Sequence, residues 1–442
     1  MSKFSEKFEN GLIVVAEKVD NNKYLGAIKN AFTAFMPFII VGSFASLFNT
    51  LICSTSTGLA ALVPAAAQLS PAFTAVNYAT LSIMALPICY LIGLEMAKRN
   101  KVPEHIGAII SLCAFICVIP QTVSVTVEGL AEAVSGGGLP SAAIGAQGLF
   151  IAMFVSLLIS ELFATLMKID AIKIKMPPSV PTAISQSFNT LIPILICLLV
   201  AGIAGQLFFL ATGTYMNDWI YSVVQAPLEA LFQSPVGAIA LFVAAQVFWF
   251  LGIHGNMIIT PIRNPLIASA LAANVAAAAA GQVPNQPITY GALVSFIVVG
   301  GAGLVLSLVI ALLLFSKRED ERSIAKLGLL PAIFGISEPV VFGLPLVLNI
   351  TYAIPFILAG GLGTGLLLLA TSIGFVPCNI VDVPFGFPIG VSAFIGHGWQ
   401  GVVLQLIIIA AGVLLYTPFV LISNRQYKKE QAAKAASEKA NG

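Results

Sequence analysis

Charge is what this chain has least of. Of its 442 residues only 9% are Asp, Glu, Lys or Arg, while 58% are hydrophobic. A soluble domain carries about 25% charged residues, so ordinary water-facing chemistry cannot clothe this surface. The chain reads as an integral membrane protein. No basic tract is present to hold nucleic acid. The six cysteines, Cys53, Cys89, Cys113, Cys117, Cys197 and Cys378, include no CxxC pair and no metal-ligand spacing. They read as small buried hydrophobes, and neither disulfides, a metal nor another cofactor is expected. A cleavable signal is lacking too. The first residues, "MSKFSEKFENGLIVVAEKVDNNKY", have no short apolar core followed by a small-residue cleavage site. Phe4, Phe8, Leu12 and Val15 instead recur at helical spacing, as in a short amphipathic helix on a membrane surface.

What is present is a series of long apolar runs. Charge is absent from 30 to 94, 105 to 127, 133 to 160, 176 to 217 and 230 to 262. Runs of 18 residues or more fit spanning helices, whereas barrel strands alternate with period two. The expected fold is therefore an all-α integral membrane protein with about ten transmembrane helices, re-entrant segments and short amphipathic helices. Basic residues cluster at Lys98–Arg99–Lys101, at Lys168–Lys173–Lys175, at Lys317–Arg318–Arg322–Lys326 and in the tail from Arg425. The intervening loops carry Glu128 and Glu132, or Asp218 and Glu229, and no basic residue. Positive charge marks the cytoplasmic side, which places both termini inside a multi-pass protein. Spans are expected near 29–52, 76–97, 105–123, 144–167 and 190–213. Parity then asks for two crossings in 235–287, one at 288–316 and two in 328–424, although 264–287 is a weakly apolar span and 328–424 is long for two.

The chain divides accordingly into an N-terminal segment (1–28), a first membrane domain (29–215), a second membrane domain (216–424) and a tail (425–442). The first domain reads as plain spans. The second is interrupted by Gly and Pro and holds the isolated polar groups. Irregular backbone at membrane depth needs protein or a watery cavity to satisfy it, and broken segments are where transporters build binding sites.

From Gly328 to Asn424 only Glu338 and Asp382 are charged. Glu338 lies in "FGISEPVVFGLPLVLN" among Gly335, Pro339, Gly343 and Pro345. A buried ionisable group in a membrane points to function; the competing role is a carboxylate that caps a half-helix. His254, in "QVFWFLGIHGNMIITP", is flanked by Gly252 and Gly255 and followed by Asn256. The glycines permit close approach by a ligand. Trp249, about one turn earlier, suits either a sugar ring or a membrane interface. "VPCNIVDVPFGFPIGVSAF" reads as a re-entrant loop, with Asp382 lining a cavity or facing water at its rim. His397 and Trp399, in "GHGWQG", read as an interfacial anchor. Arg263 either pairs with a carboxylate or phosphate or snorkels at a boundary.

These motifs resemble those of the membrane-embedded IIC component of the sugar phosphotransferase system, in its lactose/cellobiose/diacetylchitobiose branch. The similarity rests on "AIKNAFTAFMPFIIVGS" (27–43), "KMPPSVPTAISQSFNTLIP" (175–193), "FWFLGIHGNM" (248–257) and "SKREDERSIAKLGLLPAIFGISEPVVFGLPLVLN" (316–349). The resemblance implies a homodimer of ten-helix protomers in a bacterial plasma membrane. The first five spans would form the interface, and the second half would bind and move the sugar. It implies as substrate a β-linked disaccharide such as cellobiose, lactose or diacetylchitobiose. As phosphoryl donor it implies a phosphocysteine on a cytoplasmic IIB protein, separate from this chain. Such a protein is a transporter that takes part in phosphoryl transfer rather than a self-sufficient enzyme. By the resemblance His254 and Glu338 would lie near the phosphorylated hydroxyl; Asn256, Trp249, Phe385 and Asp382 are the further substrate-binding candidates read from the residues. Two departures fall in the pocket: Gly335 and Ser337 stand where the family usually has Asn, and Phe385–Gly386 where many members have a Trp–Thr pair.

Two other classes compete with this reading. In an ion-coupled secondary transporter, Glu338 and Asp382 would carry protons. In an intramembrane enzyme, His254 and Glu338 would be acid and base, but no GxSxG or HExxH motif is present.

Overall fold

The computed structural model describes residues 22–56, 58–125, 134–174, 177 and 181–441. The amphipathic helix expected at the N-terminus, Glu128 and Glu132 fall outside these residues. The described residues form two compact units, one of Asn21–Ala230 with Pro261–Ala273, the other of Leu231–Thr260 with Asn274–Gly442. The first boundary therefore comes at Ala230, beyond the residue 215 read from the sequence.

In the first unit, α1 (Lys23–Phe48) starts where the Asn22 side chain accepts hydrogen bonds from the amides of Tyr24 and Leu25 at 3.0 and 3.1 Å. α2 (Ala85–Asn100), α3 (Glu104–Val118) and α4 (Leu149–Leu166) pack closely through small residues. A methyl at Gly93 would come within 2.6 Å of Ser111 Oγ, so glycine there lets the two backbones approach. Ser111 and Ser160 hydroxyls meet at 3.2 Å, and Cys89 Sγ and Ser156 Oγ at 3.0 Å. β1 (Thr122–Val125) and β2 (Val134–Gly137) pair antiparallel. This hairpin departs from the all-α expectation, and the alternating "TVSVTV" is its local signal. α5 (Thr182–Thr212) ends at Gly213 in the left-handed conformation (φ 73°). Only 11% of the most apolar part of α5, within Phe188–Thr212, is buried within the chain.

In the second unit α6 (Pro235–Phe250) is capped by Ser234, whose hydroxyl accepts from Gly237 N at 3.1 Å. α7 (Gly255–Ala279), whose Pro261–Ala273 stretch counts with the first unit, is one helix despite Pro261 and Pro265. The apolar stretch from Tyr290 to Phe315 ends in α8 (Val305–Phe315). It is interrupted by Gly300, Gly301 and Gly303, all at positive φ, and by left-handed Leu304. α9 (Glu319–Ile333) and the short α10 (Glu338–Gly343) follow. Then come α11 (Ile350–Ser372), capped by Asn349, and α12 (Val391–Asn441), kinked at Gly398. α6 packs on α11 and α8 on α12. Residues 373–390 contain no helix or strand, and α12 begins at Val391, inside the 376–394 stretch read as a re-entrant loop.

Six helices among the described residues are long and apolar enough to cross a membrane, or up to eight if each of two bent pairs is one span. Of the ten crossings read from the sequence, the third appears as the 15-residue α3, and α7 is not among the six.

Candidate functional site

The site is built from three irregular segments of the second unit. The first is the break between α6 and α7. Gly252 takes φ 85° and His254 is the residue before the first turn of α7. A methyl at Gly255 would lie 1.7 Å from the Ala245 carbonyl oxygen, so only glycine lets α7 begin against the last turn of α6. The Trp249 and His254 rings lie 4.4 Å apart at 46°. Trp249 is buried, 3% exposed, and its Nε1 has no hydrogen-bond partner among the described residues. Asn256 is half-buried, and its Oδ1 likewise has none among them. A buried donor or acceptor without a partner is costly and uncommon. Trp249 Nε1 and Asn256 Oδ1 flank His254 in the sequence and add one donor and one acceptor suited to a polyhydroxylated ligand.

The second segment carries Glu338. Ser337, 3% exposed, accepts a hydrogen bond from Ala302 N at 3.3 Å through its hydroxyl. This ties the turn before α10 to the glycine break ahead of α8. Glu338 then opens α10 with its side chain exposed, and Pro339 follows it. Pro339 has no amide hydrogen to donate at this helix start. The Leu348 amide donates to the Phe250 carbonyl at 2.9 Å, and a methyl at Gly252 would come within 3.1 Å of Val347 Cγ1. The His254 and Glu338 segments are therefore joined directly.

The third segment is 373–390. Phe385 is exposed, and a methyl at Gly335 would come within 3.3 Å of its Cε2. The ring thus lies over the glycine that leads into Glu338. Asp382 is brought to this segment but not to its open face. It is 1% exposed, and its Oδ1 accepts from Gly291 N at 2.6 Å and Asn379 Nδ2 at 3.1 Å. The structure thus places it neither at a cavity wall nor at a watery rim.

Two other sequence readings change. His397 is 1% exposed, its Nδ1 meets the Pro377 carbonyl at 2.9 Å and its ring packs on Phe296 at 4.7 Å. It is a buried brace rather than an interfacial anchor; Trp399, 61% exposed, keeps the anchor geometry. Arg263, 8% exposed, belongs to the other unit and donates from Nη2 to Asn264 Oδ1 at 3.2 Å.

Beyond α10 a cavity of ≈ 210 Å³ is lined by residues including Arg318, Asp320, Glu321, Asn349 and Tyr352. Here the Arg318 hydrogen bond holds the Asp320 carboxyl below the usual carboxylate range. Buried Glu321 accepts from Ser316, Tyr352 and Ser423 at 2.6, 3.0 and 2.6 Å. Reasoning from sequence marked Ser337 only as a departure from the family pattern and passed over Glu321. The serine directly before "EP" is a local helix-start signal, but the Glu321 partners lie up to 102 residues away.

Known proteins are similar to this chain over nearly its whole length. The structure matches the crystal structure of the transporter ChbC, the IIC component of the N,N'-diacetylchitobiose-specific phosphotransferase system. The TM-score is 0.86 and the identity 31%, over 97% of this chain and 99% of that one. The oligo-beta-mannoside-specific EIIC component of Bacillus subtilis (strain 168) is 30% identical across 99% of this chain and 98% of the relative. The cellobiose-specific EIIC component of Lactococcus lactis subsp. lactis (strain IL1403) is 26% identical across 96% and 98%. A family model described as "Phosphotransferase system, EIIC" matches residues 29–360. The chain belongs to the EIIC family of the phosphotransferase system and is a membrane-embedded sugar permease component.

Proposed function

We propose that the chain carries a β-linked disaccharide of the cellobiose type across the bacterial plasma membrane. It then presents one sugar hydroxyl to the phosphocysteine of a separate cytoplasmic IIB protein. The observation that carries this reading is the exposed carboxylate of Glu338, on a segment bonded to the one that holds His254. Phosphoryl transfer needs positioning and charge from a protein more than covalent chemistry. The Glu338 carboxylate accepts a hydrogen bond from the attacking hydroxyl, directing it and raising its nucleophilicity. His254 and the unpartnered Trp249 Nε1 and Asn256 Oδ1 hold neighbouring hydroxyls, and Phe385 gives a sugar ring an apolar face. Relatives specific for oligo-beta-mannoside, cellobiose and N,N'-diacetylchitobiose support the substrate class.

The largely bare, mainly apolar Phe188–Thr212 stretch of α5 supports a homodimer interface or lipid cover in the first unit. The clustering of Lys and Arg at one set of loops supports cytoplasmic termini. The reading is tested with purified chain in proteoliposomes given labelled cellobiose. With phosphorylated IIB inside, cellobiose phosphate accumulates there. Uptake of unmodified sugar without IIB, driven by an ion gradient, would instead favour a secondary transporter.

A further inference from the structure

The 376–390 segment has no regular structure, yet it is held at both ends. Asn379, 1% exposed, donates through Nδ2 to the Val381 carbonyl at 2.8 Å and to Asp382 Oδ1 at 3.1 Å. Its Oδ1 accepts from the buried Thr289 hydroxyl. Its main-chain carbonyl accepts from Asn274 Nδ2 at 2.9 Å, and that same side chain bridges to Gln286. Asp382 adds the bond from Gly291 N. At the other end Ile389 N donates to the Ile333 carbonyl at 3.0 Å. Gly390 N donates to Gln405 Oε1, whose amide in turn reaches the Ser295 carbonyl at 2.8 Å. Between these two attachments lie only Val383 to Pro388, and at their middle Phe385 rests over Gly335, three residues before Glu338.

A buried carboxylate is costly unless its hydrogen bonds are satisfied, and Asp382 satisfies them within this latch. A short loop fixed at both ends has few positions for its tip. We propose that Asp382, with Asn379 and Thr289, is a positioning residue for the sugar site. It acts through the latch to set the height of the Phe385 ring above Gly335 and so the clearance beside Glu338. Asp382 itself touches no sugar. This inference rests on the reading of Glu338 and Phe385 as sugar-site residues and names what holds that site in shape. Gly291 is part of the device, because a methyl there would come within 2.8 Å of Asn379 Nδ2 and 3.0 Å of Asp382 Oδ1.

The test is a double-mutant cycle on cellobiose affinity and on the KM and kcat of IIB-dependent phosphorylation, with the full chain in proteoliposomes. Phe385→Ala alone should weaken cellobiose binding about three- to tenfold, the range of an aromatic contact. Asp382→Asn should weaken it by a similar factor, raising KM more than it lowers kcat. In the double variant the second loss should vanish, because a residue that acts only through Phe385 has nothing left to position. Gly291→Ala, which keeps every polar group of the latch, should behave as Asp382→Asn does and serves as the partner variant if the aspartate change prevents assembly. Additive losses in the cycle would overturn the latch role and return Asp382 to direct contact with the sugar or to general stability. Parent-like affinity in Phe385→Ala is a different failure, because it would remove Phe385 from the site itself.

Discussion

The Leu348 amide donates to the Phe250 carbonyl at 2.9 Å, a bond across 98 positions of sequence that fastens the segment after Glu338 to the one before His254. Leu348 lies between α10 and α11, and Phe250 is the last residue of α6, where backbone carbonyls need partners from outside their own helix. Left-handed Leu348 (φ 57°) turns its amide to make the bond. The segments of the two residues that carry the proposed chemistry are thus joined through the main chain.

Trp249 should separate binding from stability. Its Nε1 is a buried donor without a partner among the described residues, and such a group costs about 1–3 kcal/mol. If the N–H serves a sugar hydroxyl, Trp249→Phe lowers cellobiose affinity about five- to tenfold and leaves the sugar-free melting temperature near the parent value. Melting curves with and without sugar check both halves. Parent-like affinity together with a raised melting temperature would make the indole N–H a packing defect instead.

Gly301 and Ser337 should act as a pair. A methyl at Gly301 would sit 2.5 Å from Ser337 Cβ, and the residue's φ of 101° is strained for any side chain. Gly301→Ala is expected to displace the turn that presents Glu338 and to reduce phosphorylation more than tenfold. Ser337→Ala only removes the acceptor for Ala302 N, which costs about 1–2 kcal/mol, and should be milder in the same assay. The reverse order of severity would show that the hydroxyl, not the close backbone approach, fixes the turn.

How much of this was visible beforehand depended on the reach of each signal. Glu338 and His254 stood out because charge and histidine are so scarce around them. The breaks flanking them were visible because glycine and proline act locally. Asp382 stood out for the same reason, yet its place was misread. Its partner Gly291, and the Thr289 that holds neighbouring Asn379, lie about 90 residues away, and no local pattern announces them. His397 failed alike: next to a tryptophan and glycines it resembles a rim residue, while Phe296 and Pro377 bury it. The span count suffered from a different cause. α3 is shorter than a full crossing, and α7 is one helix in spite of Pro261 and Pro265.

Glu321 ties the end of α8, α9, α11 and α12 into one cluster through Ser316, Tyr352 and Ser423. Hydrogen bonds to a charged group contribute about 1.5–3 kcal/mol each. Glu321→Leu leaves three buried hydroxyls without their acceptor and should lower the melting temperature of the detergent-solubilised chain by several degrees. Cellobiose affinity per folded molecule should change less than twofold. A large loss of affinity with normal melting would mean that this cluster belongs to the transport machinery rather than to its frame.

The central claim is that the Glu338 charge directs the sugar hydroxyl towards the phosphoryl donor. Glu338→Gln keeps the size of the side chain and its capacity to hydrogen-bond but removes the charge. The decisive measurement is cellobiose binding and IIB-dependent phosphorylation by this variant and the parent, side by side in the same membranes. The account predicts that binding falls no more than about tenfold, as for one weakened bond to a charged group, while phosphorylation falls at least a hundredfold. Phosphorylation at the parent rate would contradict it and leave Glu338 as the cap of α10.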